Sequence, residues 1–197
     1  MNHSKLSIVI PAAGASERLG QTKQLVEFGG TSLIQNAVNT AHSINPREIL
    51  VVTGANAEMV RNAVLNTSVR WVHNPDWPCG MGGSIALGAT KICPESTGLM
   101  ILLCDQWRLR APDLQRLADT WQSNPERIVC AHSNGINMPP VIFPTSRLEQ
   151  LRELEGHQGA RNLLKAHPEL LEPVPIKNAA HDLDTQAQLL LIRNHHW

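Results

Sequence analysis

The chain has 197 residues, and its 17 Lys+Arg balance 17 Asp+Glu to give a formal net charge of zero. Because a domain averages roughly 150 residues, we predict a single domain over residues 1–197. The neutral total argues against a nucleic-acid-binding protein, since such proteins carry a basic surface that pairs with phosphates.

Two further features bear on location. The longest unbroken apolar stretch, Leu99 to Cys104, is far shorter than the roughly 20 residues that span a bilayer, so we predict no membrane segment. The four cysteines include no Cys-x-x-Cys pair, which excludes the usual zinc spacings. Both features predict a cytoplasmic protein with free thiols.

Buried strand patterns alternate with helical patterns along the first two thirds of the chain. In order, the patterns predict a strand over 6–10, a helix over 32–41, a strand over 49–52, a helix over 57–65, a strand over 69–72, a helix over 82–91, a strand over 99–103 and a helix over 112–121. Such alternation is typical of an α/β fold with a mostly parallel sheet and helices on both faces.

The pattern is looser in the last third. Strands are predicted over 128–131 and 141–143, and helices over 146–154, 158–166 and 189–192. With no internal repeat or long linker in the sequence, we expect these elements to complete the same sheet.

The first candidate site is the segment from Pro11 to Lys23, directly after the first predicted strand. Loops at the carboxyl ends of parallel strands bind ligands in open α/β sheets. Small residues let backbone N–H groups approach phosphate oxygens, while Arg18 and Lys23 supply positive charge. The segment lacks both the dinucleotide G-x-G-x-x-G and the P-loop pattern. A plain connection with two solvated charges is the alternative interpretation.

The second candidate site runs from Asn74 to Ser84 and enters a predicted helix. Glycines and a serine at a helix N-terminus can bind an anion or a ribose, because the first N–H groups have no partner within the helix. The alternative is that Ser84 only caps the helix.

Carboxylates form the third candidate site. Asp105 follows the apolar strand pattern, so it is expected at the same sheet edge and could hold Mg²⁺ against phosphates. Asp182 and Asp184 would face one side of an extended segment and offer further ligands. The alternatives are that Asp105 terminates a strand and that Asp184 or Thr185 caps the last helix.

These motifs, in this order, resemble the nucleotidyltransferase family that includes the molybdenum cofactor cytidylyl- and guanylyltransferases. The resemblance covers nearly the whole chain and implies a single-domain, Rossmann-like fold of the nucleotide-diphospho-sugar transferase type. Its parts are Ile10-Pro11-Ala12-Ala13-Gly14, Arg18-Leu19-Gly20 with Lys23, Asn74-Pro75-Asp76-Trp77, Gly80-Met81-Gly82-Gly83-Ser84, Cys104-Asp105-Gln106, Gln158-Gly159-Ala160-Arg161-Asn162-Leu163-Leu164 and Asp182-Leu183-Asp184-Thr185.

The resemblance also implies roles for individual residues. In such enzymes a phosphate of the acceptor attacks the α-phosphorus of a nucleoside triphosphate and displaces pyrophosphate. The implied nucleotide-binding residues are Ala12, Ala13, Gly14, Arg18, Lys23, Asn74, Gly82 and Ser84. The implied Mg²⁺ ligands are Asp105, Asp184 and Asp182, and the implied catalytic residues are Arg18, Lys23 and Asp105.

The base preference and the acceptor follow from smaller details of the resemblance. Members that use CTP resemble Ala-Ala-Gly at 12–14, whereas those that use GTP carry a second glycine at the position of Ala13, so CTP is favoured over GTP. The implied acceptor is molybdopterin, and a molybdoenzyme or its chaperone is the implied protein partner.

Two departures lie on the expected acceptor side. Met138-Pro139-Pro140 stands where Gly-His-Pro is usual, and Trp107 replaces the proline of Asp-Gln-Pro. We therefore assign Gln106, Trp107 and Pro140 to acceptor binding. The departures leave two alternatives open: a cytidylyltransferase for a small sugar or polyol phosphate, and a nucleotide-binding module without turnover.

Overall fold

The computed structural model describes residues 5–65 and 68–194, and these residues form an α/β structure. The strands are β1 (Leu6–Ala12), β2 (Glu27–Phe28), β3 (Thr31–Ser32), β4 (Glu48–Thr53), β5 (Arg70–His73), β6 (Gly98–Ile101), β7 (Ile128–Ser133), β8 (Ile136–Pro144) and β9 (Leu171–Pro175). The α-helices are α1 (Leu33–His42), α2 (Ala57–Asn62), α3 (Met81–Lys91), α4 (Ala111–Ser123), α5 (Leu148–Arg152), α6 (Ala160–Ala166) and α7 (Gln186–Asn194).

Seven strands form the main sheet in the order β5-β4-β1-β6-β8-β7-β9. Every pairing is parallel except those that β8 makes with β6 and β7. The chain crosses from one side of β1 to the other between β4 and β6, so β1 lies at a topological switch point. Ligand crevices in open α/β sheets form outside the carboxyl ends of strands at such points.

Helices cover both faces of the sheet because the central strands are apolar on both sides. In β1, Ile8 and Ile10 belong to the core cluster that α1, α2 and α4 complete, while Val9 belongs to the cluster that α3, α5 and α6 complete. All three side chains are fully buried. The predicted α/β class and the two-faced arrangement are confirmed.

Several predicted elements differ from the structure at their ends. The strand predicted over 99–103 ends at Ile101, so Leu102 and Leu103 belong to the loop that leads to Asp105. The helix predicted over 57–65 ends at Asn62. In the last third, helices predicted over 146–154 and 158–166 shorten to α5 and α6.

Three strands were not predicted. β9 carries Pro173 and Pro175, residues that argue against a strand but are tolerated at the sheet edge, where β9 lies. β2 and β3 form a two-stranded ribbon whose turn, Gly29–Gly30, has positive φ at both residues. Among the described residues, no helix is long and apolar enough to cross a membrane.

Candidate active site

Lys23 lies between two carboxylates at the carboxyl edge of the sheet. Its Nζ is 2.9 Å from Asp105 Oδ2 and 2.6 Å from Asp184 Oδ1. Lys23 follows the loop after β1, Asp105 follows β6, and Asp184 precedes α7. The structure thus brings together three residues that the sequence analysis placed at one edge. Arg18 is at the periphery, with 77% of its side chain exposed and its Nη2 3.7 Å from Asp184 Oδ1.

Backbone hydrogen bonds hold the two carboxylate segments side by side. The carbonyl oxygen of Asp105 accepts from the backbone N–H of Leu183 at 3.1 Å and from that of Trp107 at 2.9 Å. Leu183 is fully buried, whereas its neighbour Asp182 is exposed. This alternation is the one expected of an extended segment, and it leaves the residue 184 carboxylate free to meet Lys23.

The start of α7 rules out one alternative for Asp184. Gln188 Oε1 accepts from the backbone N–H groups of Asp184 and Thr185, at 2.8 and 2.9 Å, and Thr185 Oγ1 accepts from Gln188 N at 3.3 Å. Thr185 and Gln188 therefore cap the helix reciprocally. The carboxylate of Asp184 bonds Lys23 instead.

Burial and charge act in opposite directions on these groups. Burial lowers the pKa of Lys23, but the charges of Asp105 and Asp184 and their hydrogen bonds outweigh it, so the pKa is raised. Burial raises the pKa of Asp105 above its usual range despite the facing ammonium. Burial also opposes ionisation of Asp184, but the hydrogen bond and charge of Lys23 prevail and lower its pKa.

The carboxylate pair suits a hard divalent cation. Asp105 Oδ1 is buried and has no hydrogen-bond partner, an arrangement that is costly unless a cation occupies it when the site is loaded. Among residues 5–65 and 68–194, no three His, Cys, Asp or Glu side chains lie close enough to share a metal. Asp105 and Asp184 would therefore supply two ligands, with substrate phosphate and water as the others, as Mg²⁺ commonly prefers. Asp182 acts on Asp105 through its charge.

Gln24 holds the first loop in place, and the sequence analysis did not single it out. Its buried Nε2 donates to the carbonyl oxygens of Ala12 and Gly14, at 3.0 and 3.1 Å. Ser16 Oγ accepts from Lys23 N at 3.1 Å. These bonds tie Gln24 and Lys23 to the start of the loop, in which Ala12 and Ala13 are buried and Gly14 is exposed. No spacing rule marks Gln24, because the carbonyls it bonds are backbone groups.

The second loop brings Asn74, Gly82 and Ser84 together, but their polar atoms bond each other and the neighbouring loop. Asn74 is buried, and its Nδ2 donates to Ser84 Oγ at 3.0 Å. The backbone N–H of Gly82 donates to the carbonyl oxygen of Gly156 at 2.9 Å. Gly80 is the N-cap of α3, so the interpretation of Ser84 as the cap is wrong.

A close packing contact explains the glycine at the start of α3. A Cβ on Gly82 would lie 2.6 Å from the carbonyl oxygen of Glu155 and 2.8 Å from that of Gln158. The loop before α6 therefore closes over the first turn of α3. The segment that begins at Gln158 is one of the motifs of the resemblance, and here it sits against another of them.

The three residues assigned to the acceptor occupy different environments. Gln106 is buried, and its Nε2 donates to the carbonyl oxygens of Pro139 and Ala179, at 2.7 and 2.8 Å. Pro140 is buried in β8. Trp107 is half-buried, with its ring centroid 4.7 Å from that of Phe28. Of the three, Trp107 has the side chain best placed to meet a ligand, and the roles of all three stay predictions.

Comparison with known proteins identifies the family. A model of the MobA-like NTP transferase domain matches residues 8–171. The chain belongs to the MobA-like NTP transferase family. The resemblance to molybdenum cofactor nucleotidyltransferases is thereby confirmed at the family level, and this MobA-like transferase is a nucleotidyltransferase by descent.

Relatives and solved structures agree with this assignment. The chain is 29% identical over 192 residues to nicotine blue oxidoreductase of Paenarthrobacter nicotinovorans, which covers 92% of this chain and 93% of that protein. The crystal structure of Rv0371c from Mycobacterium tuberculosis matches with a TM-score of 0.83 at 22% identity over 98% of both chains. A manganese complex of the same mycobacterial protein matches with a TM-score of 0.82 at 21% identity, over 95% of this chain and 97% of that chain. These structures confirm the nucleotide-diphospho-sugar transferase fold.

Proposed function

We propose that this MobA-like transferase moves CMP from CTP to the phosphate of molybdopterin, with Mg²⁺ as its metal and pyrophosphate as its second product. The observation that carries the proposal is the Lys23 ammonium held between Asp105 and Asp184 at 2.9 and 2.6 Å. An ammonium group beside two carboxylates suits a metal-bound triphosphate, because the phosphates need positive charge and the metal needs oxygen ligands.

The reaction needs positioning and charge neutralisation more than a protein nucleophile. An oxygen of the acceptor phosphate forms a bond to the α-phosphorus, the bond from that phosphorus to the bridging oxygen breaks, and the electron pair leaves with pyrophosphate. Asp105 and Asp184 would hold Mg²⁺, which supplies charge neutralisation when bound. Lys23 and the exposed Arg18 would then pair with the phosphates.

The nucleotide would lie across the two loops described above. Ala12, Ala13 and Gly14 would line the base, with the buried Asn74 and Ser84 on the far side. The family resemblance favours CTP over GTP, because alanine stands at position 13. We further propose that residues 1–197 act as one domain in the cytoplasm and deliver product to a molybdoenzyme or its chaperone.

Calorimetry with CTP, GTP, ATP and UTP, with and without Mg²⁺, tests the nucleotide assignment. We expect Mg²⁺-dependent binding that is tightest for CTP. Equal binding of all four, or of none, would contradict it.

Pyrophosphate release with molybdopterin tests the acceptor and the metal ligands. Asp105→Asn should lower kcat about 10²–10³-fold, the usual loss when one electrostatic stabiliser is removed. Asp119→Asn is the matched control, because that carboxylate lies on α4 and accepts from Gln115. Pyrophosphate release with a polyol phosphate, but not with molybdopterin, would show that the acceptor is a polyol phosphate. CTP binding without pyrophosphate release from any acceptor would favour a nucleotide-binding module without turnover.

A second candidate function is oxidoreduction, which is favoured by the name of the Paenarthrobacter relative that covers 92% of this chain. Calorimetry with a nicotinamide dinucleotide, added to the experiment with the four nucleoside triphosphates, separates the two candidates. Binding of a nicotinamide dinucleotide, with none of CTP, would support oxidoreduction.

A further inference from the structure

Trp77 is a tryptophan of the second loop that lies outside the three core clusters. Of the four tryptophans that the structure describes, Trp71, Trp107 and Trp121 belong to a core cluster or pack against one, whereas Trp77 does neither. Its side chain is half-buried. A large aromatic side chain that contributes to no core cluster has its apolar surface left for another contact.

The strand register places the second loop beside the first. β1, β4 and β5 are parallel neighbours, and their last residues, Ala12, Thr53 and His73, lie side by side in the sheet. The three loops that follow therefore leave the sheet together at the edge where open α/β sheets bind ligands. Trp77 lies four residues beyond His73, in the loop at the end of this row.

A glycine after β4 allows Trp77 to pack against the first loop. A Cβ on Gly54 would lie 2.5 Å from both Cβ and Cγ of Trp77 and 2.8 Å from the carbonyl oxygen of Ala13. That carbonyl also accepts from the backbone N–H of Ala55 at 2.9 Å. Trp77 is therefore a direct neighbour of the loop segment that is proposed to line the base.

Hydrogen bonds fix the backbone on both sides of Trp77. The backbone N–H of Asn74 donates to the carbonyl oxygen of Thr53 at 2.7 Å, and Asn74 Oδ1 accepts from Asp76 N at 3.0 Å. The carbonyl oxygen of Trp77 accepts from Gly80 N at 3.1 Å. Because the loop is already ordered, a ligand that contacts the tryptophan loses little affinity to loop ordering.

We propose that Trp77 forms one wall of the base pocket and stacks on the base of the nucleoside triphosphate. This inference rests on the proposed nucleotidyl transfer and adds a residue that binds the base. Aromatic side chains bind every base in this way, because every base has a π-face. Trp77 therefore strengthens binding of the nucleoside, while the phosphates depend on Lys23, Arg18 and the metal.

Calorimetry with CTP and with tripolyphosphate, both with Mg²⁺, separates the base from the phosphates. We expect Trp77→Leu to weaken CTP binding about 10-fold, as the loss of one stacked base implies, and to leave tripolyphosphate binding unchanged. Trp77→Phe should retain most of the CTP affinity. Unchanged CTP binding in Trp77→Leu, or an equal loss for both ligands, would overturn the proposal.

Trp71→Leu is the matched control, because Trp71 is also half-buried but packs against the first core cluster. It should bind CTP as the wild type does. If the wild type fails to bind CTP, the proposed function fails. If the wild type binds CTP and Trp77→Leu binds it equally, only the role of Trp77 fails.

Fluorescence tests the contact in the unmodified protein. The emission that the wild type has and Trp77→Phe lacks reports on the ring of Trp77. CTP should shield this emission from quenching by acrylamide, because a stacked base covers the ring, and tripolyphosphate should not. Shielding by neither ligand, or by both equally, would contradict stacking.

Discussion

Replacing Lys23 by methionine removes the cation that two carboxylates share. Removing one partner of a buried ion pair costs about 3–5 kcal/mol, because the remaining charge is left uncompensated. The Lys23, Asp105 and Asp184 side chains are 16%, 20% and 32% exposed, so water screens part of this loss. We therefore expect Lys23→Met to destabilise the protein by about 2 kcal/mol, roughly half of the fully buried value.

Thermal unfolding without nucleotide measures this loss. For a chain of this length, each kcal/mol shifts Tm by about 2–4 °C, so Lys23→Met should lower Tm by about 4–8 °C. Lys165→Met, at an exposed position near the end of α6, is the control and should leave Tm nearly unchanged. If Lys23→Met melts with the wild type, the ion pair contributes no stability and the reasoning is wrong.

Metal titration gives the same substitution an opposite expectation. In Lys23→Met the two carboxylates have lost a competing cation, so Mn²⁺ should raise the Tm of the variant more than that of the wild type. An equal rise in both proteins would mean that the ammonium and the metal do not compete for these oxygens.

Two further predictions concern packing and ionisation. A Cβ on Gly88 would lie 2.6 Å from Val9 Cγ1, whereas one on Gly83 meets nothing closer than 3.9 Å, so urea denaturation should show Gly88→Ala destabilised by about 1–3 kcal/mol and Gly83→Ala unchanged or stabilised. Burial raises the pKa of Cys104 to about 12 and that of Cys130 to about 11. As the pH rises, these thiols therefore lose their protons at a lower pH in the unfolded chain than in the native protein. The contribution of these thiols to the free energy of unfolding should therefore be complete below pH 9 and should be lost between pH 9 and 12. At pH 8, only Cys79 and Cys93 should react with a thiol reagent in the native protein. Rapid labelling of all four cysteines would contradict this.

Periodicity predicted the central part of the fold because those strands are buried on both faces. β1, β4 and β6 are short β-branched or apolar runs between helices with one apolar side, and each was located within a few residues. β9 was not predicted because Pro173 and Pro175 argue against a strand, and the sequence does not reveal that β9 lies at the sheet edge, where proline is tolerated.

The candidate site was likewise predictable from the sequence only in part. Lys23 and Asp105 were predictable, since residues in the loops after parallel strands share one edge of the sheet. Asp184 was placed with them by the family resemblance, because it precedes α7 and does not follow a strand of the predicted sheet. Gln24 and the contact between Gly82 and the carbonyl of Gly156 were not, because each depends on backbone groups distant in the chain. Asn74 was expected to meet a ligand, yet its amide bonds Ser84, an arrangement visible only when α3 is packed against the loop.

Although the chain has no formal net charge, charged groups are concentrated at the candidate site, where they can exchange partners when a ligand binds. In the present conformation the single ammonium of Lys23 is shared by the carboxylates of Asp105 and Asp184, so that each of the three groups has a partner of opposite charge. When a metal-bound triphosphate binds, each charged group would exchange one partner of opposite charge for another. The carboxylates would bind the metal in place of the ammonium, and the ammonium would bind a phosphate in place of the carboxylates. Nucleotide and metal should then bind more tightly together than apart. Either ligand alone would break the contacts of Lys23 with Asp105 and Asp184 and would leave the ammonium or the carboxylates without a partner of opposite charge. A measured metal affinity that is independent of CTP would contradict this coupling.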